Sequence, residues 1–330
     1  MKALVTGGGG FLGRAIVEML LGRGNSVRII ARNDYPVVRA LGAEHIQGDI
    51  RNLDDVLKAC MGMDTVFHTA ALPGIWGDIN AFGSINILGT QNVIAACKRR
   101  GVAKLIFTSS PSVVFNMVDE NGIDERAPYP TEWFNPYSQT KAVAEQAVLQ
   151  SSGRDGLLAC AIRPHLLWGP RDNHLLPRLI DRARRRKLRR VGTGKNKVDL
   201  TYIENAAMAH LFACDAMTQS RVAGQAYFIS DDNPVVLWDW INDFLERMSI
   251  PPVKKGVHVK IAYGLGACFE KVYSLLNKYE EPPMTRFLAR ALACSHYYNI
   301  EKAKRDFKYT PPVSNEEGLK RTVEYFLTRK

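Results

Sequence analysis

The chain begins with an apolar run, a cluster of glycines and a helical pattern, and this order restricts the fold more than any other feature. The run KALVT predicts a strand and GFLGRAIVEMLLGRG a helix, with Gly7, Gly10 and Gly13 at three-residue spacing where they meet. Such a turn is tight, leaves bare backbone for a pyrophosphate, and points helix N-terminal amides at it. In this context the motif predicts a dinucleotide-binding βαβ unit. Gly8 and Gly9 stand where we expect side chains to be tolerated.

Strand-like and helical segments alternate strictly through the first half of the chain. The apolar runs SVRIIAR, DTVFHTAA, KLIFTSS and LLACAIRP predict buried strands, and the segments between them predict helices. Alternation with strands that are apolar throughout is typical of a parallel sheet covered by helices on both faces. The sequence therefore predicts an α/β fold, a Rossmann doubly wound parallel sheet with a smaller, mostly helical C-terminal substrate cap.

The alternation weakens after LLACAIRP. A basic helical pattern (NHLLPRLIDRARRRKLRR) follows, QAYFIS returns to a strand, and prolines then separate further helical segments. We therefore expect residues 1–172 plus 198–232 to form the cofactor-binding Rossmann domain. Residues 173–197 plus 233–330 are then expected to form the substrate-binding cap.

Composition limits the class of protein. With 330 residues and 46% hydrophobic residues, the chain matches an ordinary globular protein with a full core. Its six cysteines show no CxxC spacing and no histidine cluster, which favours reduced thiols over a disulfide framework or a metal site. The first residues do not resemble a secretory signal, and no apolar run has the length of a membrane span. We therefore expect a cytoplasmic protein without a metal.

The net charge of +11 is partly concentrated in DRARRRKLRR. No helix-turn-helix, zinc or RNA-binding signature accompanies it, so a nucleic-acid partner is not expected. Either a solvated helix face or attraction to an anionic cofactor, substrate or membrane explains the segment. Residues 261–276 predict an amphipathic helix that covers an apolar pocket or touches a lipid surface. Weak peripheral membrane contact therefore stays open.

The end of the second strand bears on the choice of nicotinamide cofactor. NAD-selective sites carry an acidic residue there, about 20 residues after the glycine turn, which holds the ribose hydroxyls. This chain has Arg32, whose guanidinium can pair with a 2′-phosphate. NADP(H) is therefore the preferred cofactor, and nearby Asp34 keeps NAD(H) open. Asp49, in QGDI, either accepts a hydrogen bond from the adenine amino group or forms a turn.

Three side chains have the properties that carbonyl reduction needs. Ser110 follows the strand KLIFTSS, while Tyr137 and Lys141 are four residues apart and so share a helix face, with Asn135 and Pro136 at the helix start. Hydride transfer to a ketone builds negative charge on oxygen, which needs a hydrogen-bond donor and a proton. A nearby ammonium lowers the pKa of a tyrosine from about 10. We predict that these three residues are catalytic.

At these positions the chain resembles the extended short-chain dehydrogenase/reductase superfamily. TSSPSV, LLWGP, NKVDLTYIENAAMAH and the segment EPPMTRFLARALACSHYYNIEKAKRDFKYTPPVSNEEGLKRT resemble its 3β-hydroxysteroid dehydrogenase branch, so that the likeness runs nearly end to end. Within this branch IWGD, PSV and NPYSQTKAVAEQ resemble bacterial 2-alkyl-3-ketoalkanoate reductases of long-chain olefin biosynthesis. One departure is SVVFN, where sugar-nucleotide epimerases often have VYG after the serine strand.

The resemblance implies roles for further residues. Tyr137 would be the acid/base, the HTAA segment, Asn86 and Arg163 would stand near the cofactor, and a homodimer would form through the Tyr137 helix and its neighbour. His165, which follows Pro164, either faces the pocket or has a structural role, and both alternatives stay open. The expected cofactor contacts are Gly7, Gly10, Phe11, Leu12, Gly13, Arg32, Asp49, Ile50, Ala70, Ala71, Tyr137, Lys141 and Pro164.

The expected function is NADP(H)-dependent interconversion of a ketone and a secondary alcohol on an apolar, lipid-like small molecule. Reduction of a long-chain 2-alkyl-3-ketoalkanoate to the 3-hydroxy acid is preferred. The alternatives are a 3β-hydroxysteroid or sterol dehydrogenase, a sugar-nucleotide epimerase or dehydratase, and a non-catalytic NADP sensor. An intact Ser110, Tyr137 and Lys141 set disfavours the sensor, which needs no proton chemistry. For a keto acid, Arg171, Arg178 and Arg286 are candidate cations near the pocket.

Overall fold

The computed structural model of the protein describes residues 1–328 and contains a central parallel sheet, helices on both of its faces, and a C-terminal region of helices and short strands. The strands in chain order are β1 (Lys2–Thr6), β2 (Ser26–Ala31), β3 (Glu44–Gln47), β4 (Thr65–His68), β5 (Lys104–Thr108), β6 (Glu120–Ile123), β7 (Leu158–Pro164), β8 (Leu167–Trp168), β9 (Arg190–Val191), β10 (Lys197–Val198), β11 (Thr201–Tyr202), β12 (Ala226–Ile229), β13 (Val235–Val236), β14 (Gly256–Val257) and β15 (His296–Tyr298).

The helices surround this sheet and build most of the C-terminal region. In chain order they are α1 (Phe11–Gly22), α2 (Pro36–Ala40), α3 (Leu53–Cys60), α4 (Ile79–Phe82), α5 (Gly89–Arg100), α6 (Pro136–Ser151), α7 (Leu175–Arg184), α8 (Ile203–Ala216), α9 (Leu237–Arg247), α10 (Val259–Leu275), α11 (Arg286–Ala291), α12 (Glu301–Phe307) and α13 (Asn315–Thr328). A π-helical turn at Gly83–Leu88 joins α4 to α5.

The main sheet has seven strands in the order β12-β7-β5-β4-β1-β2-β3, and all neighbouring strands are parallel. The chain moves outward from β1 to β3 and then returns to place β4 on the other side of β1. Ligands of doubly wound sheets bind at the carboxyl end of the strands at this reversal. The predicted fold class is confirmed, and the site is expected beyond Thr6 and His68.

Alternate residues of each central strand fill two cores, one on each face of the sheet. In β1, Ala3 and Val5 face the core that contains α1 and α8, while Leu4 faces the core that contains α3 and α5; all three side chains are fully buried. Burial of Val5 and of Leu4 contributes about 1.5–3 kcal/mol each. This two-sided burial explains why the strand sequences are apolar throughout.

The C-terminal region adds a second sheet of four strands, in the order β13-β10-β15-β6. Its basic helix is shorter than predicted, because α7 ends at Arg184 and Arg186 takes a left-handed backbone conformation with φ of 55°. Within residues 1–328, no helix is both long enough and apolar enough to cross a membrane. The proposed boundaries between the two domains stay a prediction.

Candidate active site

The glycine turn between β1 and α1 is closely packed. Gly7 has a φ of 68°, and a Cβ on it would lie 2.9 Å from the Cα of Ala70. A Cβ on Gly13 would lie 2.2 Å from the carbonyl oxygen of Gly7, so only glycine allows the helix to start this close to the strand. Gly10 precedes α1, and a Cβ there would meet only the Gly7 oxygen, at 3.2 Å.

The expectation that Gly8 and Gly9 tolerate side chains is wrong. A Cβ on Gly8 would lie 2.3 Å from Cγ2 of Ile29, and one on Gly9 would lie 2.4 Å from the ring of Tyr35. Ile29 belongs to β2 and Tyr35 to the loop that follows it. Both clashes come from residues distant in the sequence, and the steric demand is therefore invisible in the glycine motif itself.

The first turn of α1 offers unpaired donors. Within the part of the chain that the structure describes, no side chain caps this helix, and its first turn contains no acidic residue. Leu12 is buried in the core, whereas Phe11 is only partly buried beside a surface cavity that Gly9 and Gly10 also line. Free N-terminal amides together with the helix dipole form a site for an anion such as a phosphate.

The residues predicted to select the cofactor lie after β2 and β3. Arg32 is exposed, and within the described chain it forms no salt bridge, whereas Asp34 pairs with Arg39 at 2.8 Å. Asp49 accepts hydrogen bonds from the backbone and side chain of Arg51, which lower its pKa, and the charge of Arg32 contributes. Within the described residues the guanidinium of Arg32 is therefore free of a salt bridge, and the carboxylate of Asp34 is already paired.

The loop after β4 is attached to β1. His68 is fully buried between the hydroxyls of Thr6 (2.7 Å) and Thr90 (2.9 Å), and burial lowers its pKa to about 3. The amide of Ala70 donates to the Thr6 hydroxyl at 3.2 Å. Neutral His68 thus fixes the loop that carries Ala70 and Ala71 beside the glycine turn.

Two further predicted cofactor contacts lie just after β3 and at the end of β7. Ile50 packs against Gly89, where a Cβ would approach its Cδ1 to 2.6 Å, and Pro164 is buried at the end of β7. Asn86, in the π-helical turn, accepts from the amide of Leu72 and donates to Thr140 on α6, so it connects the β4 loop to the Tyr137 helix.

Ser110 and Tyr137 lie in hydrogen-bond contact. Ser110 follows β5, and its Oγ accepts from the amide of Ser112 at 3.2 Å, which leaves its hydroxyl hydrogen for Tyr137. Tyr137 is in the first turn of α6, where Asn135 caps the helix through the amide of Ser138 and Pro136 occupies the first position. Burial raises the pKa of Tyr137 to about 12, and the bond from Ser110 opposes this rise.

Lys141 lies one turn further along α6 and is buried. Its ammonium donates to the carbonyl oxygen of Thr108 and lies 3.9 Å from the centre of the Phe107 ring. Burial lowers the pKa of Lys141 to about 7, and the negative charge of Glu145 opposes this shift. In this arrangement Lys141 contacts the end of β5 rather than the hydroxyl of Tyr137.

Sequence reasoning missed an ion pair behind these residues. Glu145, one turn after Lys141, is fully buried and binds Arg163 of β7 through two hydrogen bonds, one of them 2.8 Å long. The hydroxyl of Tyr129 donates to the same carboxylate at 2.6 Å. Arg163 is therefore a core residue that holds α6 against the sheet, and its expected place near the cofactor stays a prediction. A lone arginine in a buried strand was the available signal, because a buried charge needs a partner.

A cavity of about 170 Å³ opens beside Ser110 and Tyr137. Aromatic and aliphatic side chains form most of its wall, including Phe115 and Phe287, whose rings meet edge to face at 5.6 Å. Its polar side chains are Ser110, Ser112, Tyr137, His165, His296 and Tyr298. The structure thus places His165 at the pocket.

The three arginines considered as carboxylate partners lie elsewhere. None of them lines this cavity, and each guanidinium forms a salt bridge with a glutamate. The pairs are Arg171 with Glu18, Arg178 with Glu281, and Arg286 with Glu270.

Comparison with known proteins agrees with this geometry. Residues 4–256 match the profile of the 3-beta hydroxysteroid dehydrogenase/isomerase family. The chain belongs to this family. A 2-alkyl-3-oxoalkanoate reductase from Stenotrophomonas maltophilia is 46% identical over 325 residues, which cover 97% of this chain and 98% of that protein. The mouse sterol-4-alpha-carboxylate 3-dehydrogenase, decarboxylating, is 35% identical over 333 residues, 98% of this chain and 91% of that protein.

A solved structure of MoeE5 in complex with UDP-glucose and NAD shares the fold with a TM-score of 0.77 and 23% identity, covering 100% of this chain and 99% of that one. The predictions of the family, of the Rossmann fold and of an oxidoreductase are confirmed, since the relatives are named reductases and dehydrogenases. The roles of the individual site residues stay predictions.

Proposed function

We propose that the protein is an NADP(H)-dependent reductase that converts a long-chain 2-alkyl-3-oxoalkanoate to the 3-hydroxy acid. The observation that carries the proposal is the largely apolar cavity that Ser110 and Tyr137 both line. The substrate class is supported by 46% identity to a relative named for this reaction, over almost the full length of both chains.

The residues around the reversal point fit a nicotinamide dinucleotide. Gly9 and Gly10 line a surface cavity that a pyrophosphate can enter, and the uncapped amides of α1 supply donors to it. Ala70, Ala71 and Pro164 would line the nicotinamide side. A bound NADPH supplies the hydride. Exposed Arg32, free of a salt bridge within the described residues, supports NADP(H) because its guanidinium can bind a 2′-phosphate.

The catalytic side chains would act on the ketone oxygen. Ser110 donates a hydrogen bond to this oxygen and orients it, as in other sites that stabilise developing negative charge. With its pKa raised to about 12 by burial, Tyr137 carries its proton at neutral pH and delivers it to the same oxygen. Lys141 holds the end of β5 through the Thr108 carbonyl and adds a positive field when protonated.

The proposed reaction is tested by following the loss of NADPH absorbance with purified protein. We expect turnover of long-chain 2-alkyl-3-oxo acids at a kcat/KM at least tenfold higher than for 3-ketosteroids. Preferential turnover of the steroids would instead support a sterol dehydrogenase, the activity named for the mouse relative. Absence of any NADPH oxidation with either class would refute the proposal.

Two surfaces support proposed partners. Leu88 and Val143 are more than 40% exposed beside and on α6, which supports a homodimer through this helix and its neighbour. On α10, Ile261, Leu265 and Leu275 are at least half exposed, which supports weak peripheral contact with a membrane. Light scattering of the purified protein tests the first proposal, and sedimentation with lipid vesicles tests the second.

A further inference from the structure

The cavity beside Ser110 and Tyr137 ends in a pair of histidines whose hydrogen bonds run in one direction. His296 is buried, and its Nε2 lies 2.8 Å from the carbonyl oxygen of Ala291, so this nitrogen carries a hydrogen. Its Nδ1 is then an acceptor, and it lies 2.7 Å from Nε2 of His165. Nε2 of His165 is therefore the donor in this bond, and its Nδ1 is left as the free polar atom of the ring.

The ring of His165 is held firmly while Nδ1 has no partner in residues 1–328. Its amide donates to Ile229 (3.2 Å) and to the Thr201 hydroxyl (3.1 Å). The rings of His296 and Tyr298 meet it edge to face at 4.8 and 5.1 Å between centroids. A fixed imidazole with one unused nitrogen on a cavity wall is a binding group for a ligand.

Ser112 adds a second unused group to the same cavity. Its Oγ is buried and has no hydrogen-bond partner in the described structure, although the residue lines the cavity. A buried hydroxyl without a partner carries a free-energy cost of about 1–3 kcal/mol unless a ligand or water satisfies it. Ser112 therefore lines the same cavity as His165 and carries a hydroxyl that no group of the described structure satisfies.

The proposed substrate brings a carboxyl group to this place. In a 2-alkyl-3-oxoalkanoate, one carbon separates the carboxyl carbon from the ketone carbon, so a ketone bound at Ser110 and Tyr137 keeps the carboxyl inside the cavity. Among residues 1–328, no arginine, lysine, aspartate or glutamate lines its wall. A buried carboxylate needs a charged or hydrogen-bonding partner, and the cavity offers the imidazole and the hydroxyl for this purpose.

We propose that His165 and Ser112 form a subsite for the substrate carboxyl group, and that binding takes up one proton, which His165 Nδ1 holds against the carboxylate. The inference rests on the proposed function and deepens it. Nδ1–H then donates to one carboxylate oxygen, Nε2–H still donates to His296, and the Ser112 hydroxyl donates to the other oxygen. His296 is a positioning residue, because it acts through His165.

Burial, together with the neighbouring imidazole, lowers the pKa of His165 well below its ordinary value, so the pair is neutral before the substrate binds. A bound carboxylate raises the pKa of His165 again, since an opposite charge favours the protonated ring. The other titratable or charged groups around the pair are Tyr137 on α6, Tyr298 on β15, Glu120 on β6 and, before it, Asp119.

The test compares a 2-alkyl-3-hydroxy acid with its methyl ester, both oxidised with NADP⁺ and followed by NADPH absorbance. For wild type we expect kcat/KM to favour the acid about tenfold to a hundredfold, as for a hydrogen bond to a charged group. This preference should fall about tenfold for each pH unit above neutrality, because one proton enters with the acid only. His165→Phe should reduce the preference to near one, mainly through the KM for the acid.

Ser112→Ala should reduce the preference at least threefold, and it keeps the subsite testable if His165→Phe does not fold. His174→Phe, at an exposed histidine outside the cavity, is the matched control and should leave the preference unchanged. The subsite would be refuted if wild type turned over the acid and the ester with equal kcat/KM, or if the variants lost kcat/KM equally for both compounds. Either result would leave the proposed reductase activity intact. Turnover of neither compound would refute the proposed function and the subsite with it.

Discussion

Replacing Glu145 with glutamine is expected to destabilise the protein strongly, because it removes one charge of a buried pair and leaves the other. Glu145 is fully buried and Arg163 is 3% exposed, so water cannot replace the lost carboxylate charge. Two hydrogen bonds from Arg163 and one from Tyr129 end on this carboxylate. Breaking a buried pair from one side costs about 3–5 kcal/mol, and we expect a loss of this size in the free energy of unfolding at pH 7.

The loss is measured by urea denaturation of wild type, Glu145→Gln, Arg163→Met and the double variant. Because the double variant buries no unpaired charge, it should recover at least about 2 kcal/mol relative to the sum of the single effects. Burial raises the pKa of Glu145, but the bonds and charge of Arg163 outweigh this, and the net shift is downward. The stabilisation is therefore fully present above the ordinary pKa of about 4.3 and is lost as pH falls through the folded-state value.

The same substitution should reach the active site through Lys141. Burial lowers the pKa of Lys141 to about 7, and the charge of Glu145 opposes this shift. Without that charge the pKa falls further, so the fall of kcat with rising pH should move to lower pH. A destabilisation below about 1 kcal/mol, additive effects in the double variant, or an unmoved kcat profile would each refute this account of the Glu145 network.

Three further substitutions, the last with a matched control, test the remaining predictions. Tyr137→Phe should lower kcat about 10²- to 10⁴-fold with little change in KM, since it removes the proton donor; turnover at the wild-type rate would contradict the assigned role. Arg32→Ala should raise the KM for NADPH about tenfold or more and leave the KM for NADH nearly unchanged; equal effects on both would contradict the cofactor preference. Gly9→Ala should cost about 1–3 kcal/mol of stability in urea, because its Cβ meets the Tyr35 ring at 2.4 Å, whereas Gly22→Ala, with open space around it, should cost nothing.

The sequence was informative where the deciding interactions are local. Alternating apolar and helical segments predicted the parallel sheet, and the strand-turn-helix context predicted the tight packing at Gly7 and Gly13. The demands on Gly8 and Gly9 were missed because the atoms that exclude a side chain belong to Ile29 and Tyr35. No pattern within the glycine motif carries that information.

In the candidate site, too, the sequence predicted interactions between neighbouring residues and not those between distant ones. Tyr137 and Lys141 share a helix, so their spacing was enough to group them. The partnership of Glu145 with Arg163 joins a helix to a strand, and the bond between His165 and His296 joins residues 131 positions apart. Neither pairing follows from periodicity, because the first depends on how α6 packs against β7 and the second on how the last third of the chain returns to the sheet.

That return has a consequence for how the protein is made. His296 and Tyr298 complete the cavity from β15, which pairs with β6 more than 170 residues earlier in the chain. A growing polypeptide that already contains the glycine turn, Ser110 and Tyr137 still lacks this wall until β15 has also left the ribosome. The glycine turn is therefore synthesised before the residues that close the cavity. A nascent chain that ends before β15 has an open surface at the place where the complete fold has a cavity.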